Sequence, residues 1–400
     1  MNALRWIRRV AGTVIVLGCL SLMSWIAARP TKPDAFYDTP DALPTQPGVL
    51  LRQEKFTRGV PAGAQGWRIL YTTTQASGMP TIAGALVIAP HGRSATAHPV
   101  IAWAHGTTGV EAGCAPSLLE KPFANMPALE QAIASGWAVV ATDYPSGPSP
   151  YLIGEGQARA ALDAVRASRS MPSLAMSRQV MVWGHSQGGN AALWTGMIAP
   201  DYAPDVHLAG VAAFAPASDL PALIDNAQHS PVGRILSSFV LRAYSEAYPD
   251  VVFSAYTDGW VGLLSRDMAG RCLSGARALL SVAEALIIGR SIFRVPPTSG
   301  PLGVRLAENT PNRNISTPLL IAQGQNDDLV LPNAQHRFVA RRCAAGQMLD
   351  YRRYEGRDHL TLVAPDSPLV ADLVQWTRER FAGAGQSGCR QIEIAGPIPR

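Results

Sequence analysis

The sequence predicts an α/β fold, a mostly parallel central sheet flanked by helices and carrying a late helical insertion. Three features predict it. From Pro99 onward, short continuously apolar runs alternate with helical stretches, the pattern of strands buried on both faces of a parallel sheet. One of these strands passes through a turn bounded by Gly184 and Gly188 straight into a helix. Hydrophobic residues make up 47% of the 400 and charged residues 16%, a balance that supports a large core and sets the chain far from the disordered class.

At the N-terminus, Arg5, Arg8 and Arg9 precede an uncharged apolar stretch from Val10 to Ala28 that stops at Arg29 and Pro30. This is the charge pattern of an export signal, so residues 1–28 are expected to be a cleaved signal peptide and the mature chain to be secreted or periplasmic. The run approaches the length of a membrane span, which makes a retained anchor the second reading. Cys19, after Val16-Leu17-Gly18, raises a lipoprotein site as the third; it ranks last because the residues behind it stay apolar.

Residues 29–48 contain Pro30, Pro33, Pro40, Pro44 and Pro47, whose fixed φ angles and missing donors exclude a regular helix and leave an arm. Trp67 to Thr74 and Thr81 to Ile88 fit an antiparallel opening hairpin. Buried parallel strands are expected at Val100 to Ala104, Ala138 to Thr142, Val180 to Trp183, Gly210 to Ala215 and Leu319 to Ala322. Gly154 to Ala167 and Gln187 to Met197 have helical composition between them. The core is therefore expected at 49–219 and 302–389, and 390–400 reads as a C-terminal tail.

Residues 220–301 break the rhythm with helical patterns such as Ile235 to Tyr244 and Ala276 to Ile288 and no clear strand. A helical cap is expected there rather than ordinary covering helices. Sites in open α/β sheets lie beyond the carboxyl ends of the strands, where such an insertion sits.

The net charge is +5, but Lys and Arg are scattered and form no stripe with interleaved aromatics, so no nucleic-acid partner is expected. Beyond Cys19 the chain holds Cys114, Cys272, Cys343 and Cys389, an even number that suits disulfides in an exported protein. Spacing alone leaves their pairing open, and no C-x-x-C distance points to a metal site.

The strongest chemical signal is Gly184-His185-Ser186-Gln187-Gly188, placed between the strand Val180 to Trp183 and a helix containing Ala191, Ala192, Leu193 and Trp194. A strand-to-helix turn this tight strains the serine and tolerates no Cβ at its glycines, so Ser186 Oγ is pushed into the open as a nucleophile. A serine hydroxyl is weak at neutral pH and needs a base, which in turn needs an orienting acid. On the α/β-hydrolase fold these follow in the order serine, acid, histidine. Of the eight histidines only His336 and His359 lie beyond the candidate acids. His359 is preferred: it sits in the loop-like Glu355-Gly356-Arg357-Asp358-His359, whereas His336 falls in a helical stretch from Asn333 to Cys343.

The strand Leu319 to Ala322 runs into Gly324-Gln325-Asn326-Asp327-Asp328, so two carboxylates emerge at its carboxyl end. Successive side chains diverge, and Asp327 is preferred to Asp328 as the partner of His359. Asp358 reads as a loop or helix-start residue. Negative charge on the reacting carbonyl oxygen calls for preorganised N–H donors. Gln187, after the serine, is expected to supply one, and Thr107 in His105-Gly106-Thr107-Thr108-Gly109 the other.

With these residues located, the chain resembles the secretory lipase family of α/β-hydrolases, in its Candida antarctica lipase A-like bacterial branch. The likeness runs from about Asp34 to Cys389. It rests on Ala102-Trp103-Ala104-His105-Gly106-Thr107-Thr108-Gly109, Thr142-Asp143-Tyr144, Tyr151-Leu152-Ile153-Gly154, Trp183-Gly184-His185-Ser186-Gln187-Gly188-Gly189 and Ala215-Pro216. The resemblance implies Ser186, Asp327 and His359 as a triad, a helical lid, and disulfides joining Cys114 to Cys272 and Cys343 to Cys389. The chain departs from the family at Asp143-Tyr144-Pro145-Ser146-Gly147, where relatives read Asp-Tyr-x-Gly-Leu-Gly, and at Leu331, where proline is common. A preference for long-chain triacylglycerols is therefore not carried over.

The expected function is cleavage of small-molecule or lipid carboxylic esters through an acyl-enzyme on Ser186, without a cofactor, with the cap meeting a lipid interface. A peptidase or lactonase would share the triad, and a catalytically silent hydrolase-like binding protein would keep only its outline. The sequence contains no G-x-x-x-x-G-K-[ST], and the glycines after Val100 to Ala104 lack dinucleotide-loop spacing.

Overall fold

The computed structural model of the chain describes residues 29–92, 96–145 and 149–396. The apolar N-terminal stretch with Cys19, and Ser146 and Gly147 of the altered segment, lie outside the described residues. Ten strands form one sheet: β1 (Leu50–Phe56), β2 (Ala64–Thr74), β3 (Pro80–Pro90), β4 (His98–Ala104), β5 (Ala138–Pro145), β6 (Met176–His185), β7 (His207–Phe214), β8 (Leu319–Gly324), β9 (Leu349–Tyr354) and β10 (Cys389–Ile394). Their order is β1-β2-β3-β5-β4-β6-β7-β8-β9-β10. The pairs among β1, β2, β3 and β5 are antiparallel and all others parallel.

The helices are α1 (Leu129–Ala134), α2 (Gly154–Arg169), α3 (Gln187–Tyr202), α4 (Leu220–Ala227), α5 (Pro231–Ala247), α6 (Phe253–Tyr256), α7 (Gly259–Ala269), α8 (Gly275–Ile288), α9 (Gly300–Glu308), α10 (Pro332–Ala344) and α11 (Pro368–Phe381). Why the central strands are apolar throughout is visible in where alternate residues go. Val100, Ala102, Val180, Val182, Val211, Ala213, Leu319 and Ile321 pack with α2, α3 and α10, through side chains such as Leu162, Leu193 and Phe338. Ile101, Trp103, Met181, Trp183, Ala212, Phe214, Leu320 and Ala322 pack on the opposite face with α1 and α11, through Ile133, Leu373 and Trp376. A period of two delivers each strand to two cores.

Three strands had no counterpart in the sequence-based reading, and their composition explains it. β1, β9 and β10 carry charges that make poor buried strands, and β1 and β10 are edges. The charges in β9 and β10 are paired across strands: Arg390 donates to both oxygens of the buried Asp350 at 2.9 and 2.7 Å, and Arg353 meets Glu393 at 3.2 Å. The segment expected as a tail from 390 is thus tied into the sheet through Ile394 by backbone pairing and these ion pairs.

Between β7 and β8 the described chain is helical, and the helical stretch runs past 301 because α9 buries Leu302 and Leu306 with Ile235, Phe239, Tyr244 and Met268. This cluster is the insertion's own core, and it reaches Tyr151, Leu152 and Ala217 beneath it. The arm at 29–48 forms one short 3₁₀ turn, Ala35–Tyr37, and docks through Tyr37 Oη to Ser117 Oγ (2.5 Å) and Arg68 to Asp34 (2.9 Å).

The strand order turns at β4, which has β5 on one side and β6 on the other. Ala104 at the end of β4 pairs with Gly184 near the end of β6. The loop holding Thr107 and the turn holding Ser186 therefore leave the sheet side by side.

Candidate functional site

Ser186 sits between β6 and α3 with φ 59° and ψ −118°, a conformation a residue with a Cβ adopts only under constraint. Its neighbours supply that constraint. Ser186 N–H donates to Phe214 O (2.9 Å), and Ser186 O accepts from Asn190 N–H and Ala217 N–H, both at 3.1 Å. A Cβ on Gly184 would stand 2.0 Å from Gly188 O, and one on Gly188 would stand 1.9 Å from Ala104 O. Only bare backbone lets β6 turn into α3 this close to β4.

His359 Nε2 lies 2.9 Å from Ser186 Oγ, and its Nδ1 lies 2.8 Å from Asp327 Oδ2. Both residues are buried. Nδ1–H donates to the carboxylate, which leaves Nε2 as the acceptor facing the serine hydroxyl. Asp327 Oδ1 accepts N–H bonds from Leu329 (3.0 Å) and Val330 (2.8 Å), and Gln323 Nε2 donates to Oδ2 (3.2 Å). The carboxylate is thus fixed in place by four donors. Asp328 is exposed, its backbone carbonyl taken by Asn226. His336 lies on α10 with its ring edge-on to Tyr351.

Two further side chains hold this geometry, and nothing in the sequence marked them beyond the place of one, His185, in the turn from Gly184 to Gly188. His185 donates Nε2–H to the backbone carbonyl of His359 (2.9 Å), and the two rings lie 4.7 Å apart. Burial, and then the neighbouring His359, push the His185 pKa down to about 3, so it is a neutral clamp and not a second base. Gln323, at the end of β8, holds Asp327 and the carbonyls of Gly324 and Val330 together. The loops of Asp327 and His359 are also joined by their backbones, Gln325 N–H to Tyr354 O and Asn326 N–H to Arg357 O. Asp358 caps the turn behind the histidine, accepting from Leu360 N–H and Thr361 N–H.

Ser186, Gln187 and Thr107 line one small pocket together with Leu223, Ile224 and Leu236 from α4 and α5. Gln187 is the first residue of α3, and the first N–H groups of an α-helix have no intrahelical partner. The Thr107 hydroxyl lies 3.1 Å from Tyr151 Oη. The lining around Ser186, Gln187 and Thr107 is largely apolar, a surround in which N–H donors act strongly. Among the described residues no group of three or more His, Cys, Asp or Glu is placed to hold a metal ion.

A family model for secretory lipases matches residues 123–270, which include the nucleophile turn and the first half of the insertion. Lipase A of Arthroderma benhamiae is 25% identical over 407 residues, covering 92% of this chain and 83% of that protein. A secreted triacylglycerol lipase of Malassezia globosa, LIP3, is 24% identical over 415 residues, covering 96% and 89%. The crystal structure of Candida antarctica lipase A in its closed state superimposes with a TM-score of 0.73 at 18% identity, over 88% of this chain and 86% of that one. The chain is similar to secretory lipases in sequence and to Candida antarctica lipase A in fold.

As in the pairing the resemblance implies, the chain joins Cys114 to Cys272 and Cys343 to Cys389, with Cα–Cα distances of 5.2 and 5.5 Å. The first ties the loop after β4 to the connection between α7 and α8, and so fastens the insertion to the sheet close to Thr107. The second fastens α10 to the start of β10. Asp143, from the motif the family shares, stands away from the serine and supports the arm side: its Oδ1 accepts from Ser117 N–H (2.9 Å), and burial pushes its pKa up to about 6. Tyr144, at φ 58°, stacks on His105, whose pKa burial pushes down to about 4. Both imidazoles near the serine loop other than His359 are therefore neutral at pH 7.

Proposed function

We propose that this chain is a secretory lipase, an exported carboxylic ester hydrolase in which Ser186, His359 and Asp327 are the catalytic triad. The observation that carries the reading is the unbroken path from Ser186 Oγ to His359 (2.9 Å) to Asp327 (2.8 Å), with the serine oxygen opening into a cavity. His359 Nε2 takes the hydroxyl proton as Oγ attacks the ester carbonyl carbon. The electron pair displaced onto the carbonyl oxygen is met by Gln187 N–H and by Thr107. Collapse of the tetrahedral adduct expels the alkoxide, which leaves as the alcohol with the proton from His359. Water, deprotonated by His359 in turn, then attacks the acyl-serine and releases the acid and the free hydroxyl.

A fluorophosphonate probe should label the wild-type chain and leave Ser186→Ala unlabelled, and turnover of p-nitrophenyl esters from acetate to palmitate should exceed that of matched amides and lactones. An unlabelled wild type would identify a silent binding protein. Faster amide or lactone turnover would make the chain a peptidase or a lactonase.

Export is supported by the Arg-flanked apolar stretch at 1–28, read as a cleaved signal, and by the two disulfides. Among the described residues no helix is long and apolar enough to cross a membrane.

Lipid esters are the substrate class that the insertion's outer surface favours. On α8, Leu279, Ala283, Leu286 and Ile287 recur at the spacing of one helical face and all point to solvent. With Trp260 and Leu263 of α7, the large side chains of this surface are 51–70% exposed. An apolar helical surface of this kind is stabilised by insertion into a lipid boundary. The double variant Leu263→Asp/Leu286→Asp should lower partition onto phosphatidylcholine vesicles by at least about tenfold, from the burial each leucine loses. Its turnover of soluble p-nitrophenyl acetate should stay at the wild-type level. Equal partition of the two proteins would remove the lipid contact from the reading.

A further inference from the structure

The run Tyr151-Leu152-Ile153-Gly154 takes no part in the proton path from Ser186 to Asp327, yet it is held at several points by other elements. Leu152 is fixed at φ 54°, and its carbonyl accepts from Tyr244 Oη of α5 at 2.8 Å. Gly154 N–H donates to Asn309 Oδ1 (3.2 Å), and a Cβ at Gly154 would stand 1.9 Å from the Trp194 ring. Tyr151 itself is buried, its ring edge-on to Phe239 of α5 at 5.9 Å. Burial holds its pKa well above the usual phenol value, so the group stays an O–H. One end of this phenol is thus locked to the insertion. The other meets the Thr107 hydroxyl at 3.1 Å, inside the cavity that Ser186 and Gln187 share.

We infer that Tyr151 is a positioning residue for the oxyanion site: it donates its O–H to Thr107 Oγ1, so that the Thr107 hydroxyl proton is turned toward the oxygen that becomes negative during acyl transfer. A threonine hydroxyl rotates freely and can spend its proton on any acceptor. With one lone pair of Oγ1 occupied by a fixed phenol, the proton is directed away from Tyr151, and the cavity side holds the developing charge. Chained hydroxyls also polarise one another, which strengthens the last donor. Because the phenol is held by α5, seating of the insertion and completion of the oxyanion site become one event.

This inference rests on the hydrolase reading, and a double-mutant cycle on p-nitrophenyl butyrate separates the two. Tyr151→Phe removes one oxygen and keeps the ring. It should lower kcat about tenfold with KM within about twofold, a fraction of what loss of a direct oxyanion donor costs. Thr107→Val should lower kcat further, and Tyr151→Phe added to it should cost nothing more, because the hydroxyl it orients is gone. An unchanged kcat in Tyr151→Phe, or a tenfold loss that persists in the Thr107→Val background, overturns the relay. Should Thr107→Val lose its cooperative melting transition, Thr107→Ala replaces it in the cycle. A wild type that neither turns over esters nor takes the fluorophosphonate label strikes the hydrolase reading itself, which losses confined to the variants do not.

Discussion

Ser186→Ala lowers kcat for a p-nitrophenyl ester by about 10⁶-fold, and His359→Ala does nearly the same, while both proteins keep their melting transition. The size follows from the two residues acting as one unit: without Oγ there is nothing to acylate, and without Nε2 the hydroxyl keeps its proton. Persistence of the fold follows from what holds the turn. The backbone of residue 186 is constrained by Phe214 O, Asn190 N–H and Ala217 N–H, none of which involves the side chain, and alanine retains the Cβ already accommodated at φ 59°. In His359→Ala the buried Asp327 still accepts from Leu329, Val330 and Gln323. The measurement is kcat with enzyme concentration set by folded protein, beside a thermal melt followed by circular dichroism. Activity within about tenfold of wild type in either variant would remove Ser186 or His359 from the reaction.

Asp327→Asn lowers kcat by about 10⁴-fold, the scale set by an amide in place of a triad carboxylate. The structure gives the reason in its hydrogen-bond directions. Leu329 N–H and Val330 N–H both point at Oδ1, so the amide oxygen of an asparagine must take that position. Its NH₂ then faces His359 Nδ1 and the Gln323 amide, where the carboxylate had accepted two bonds. A donor opposite Nδ1 selects the tautomer with the proton on Nε2, which cannot take the serine proton. Asp328→Asn, one residue away on an exposed side chain, should leave kcat within about twofold. Equal losses in the two variants, or none in Asp327→Asn, would break the assignment of the acid.

Legibility in the sequence tracked how local each requirement is. The turn around Ser186 could be read because its demands lie within a few residues: a buried strand before it, a helix after it, and two positions where a Cβ would strike backbone at about 2 Å. The central strands could be read because burial on both faces leaves only apolar residues, and the packing of Val100 and Ile101 against opposite helix layers is that condition realised. The edges resisted the same reasoning. In β9 and β10 the residues that look soluble, Asp350, Arg353, Arg390 and Glu393, stabilise the sheet because each has an opposite charge on the next strand. Such pairing is invisible until the register is known.

What the residues determined unaided is the kind of machine this is: a strand–turn–helix that exposes a hydroxyl, candidate acids and imidazoles in the order the fold uses, and an apolar insertion placed late in the chain. What only tertiary structure decided is which groups meet. His359 stands 173 positions from Ser186, and the choice of it over His336 is made by a loop that His185 and Asn326 hold against the serine. Likewise Tyr151 reaches Thr107 across 44 residues because its segment is held by a hydroxyl, a ring edge and an indole supplied by other elements. Backbone strain and burial are properties of neighbours along the chain, whereas a proton path is a property of neighbours in space, and only the packed sheet makes those neighbours.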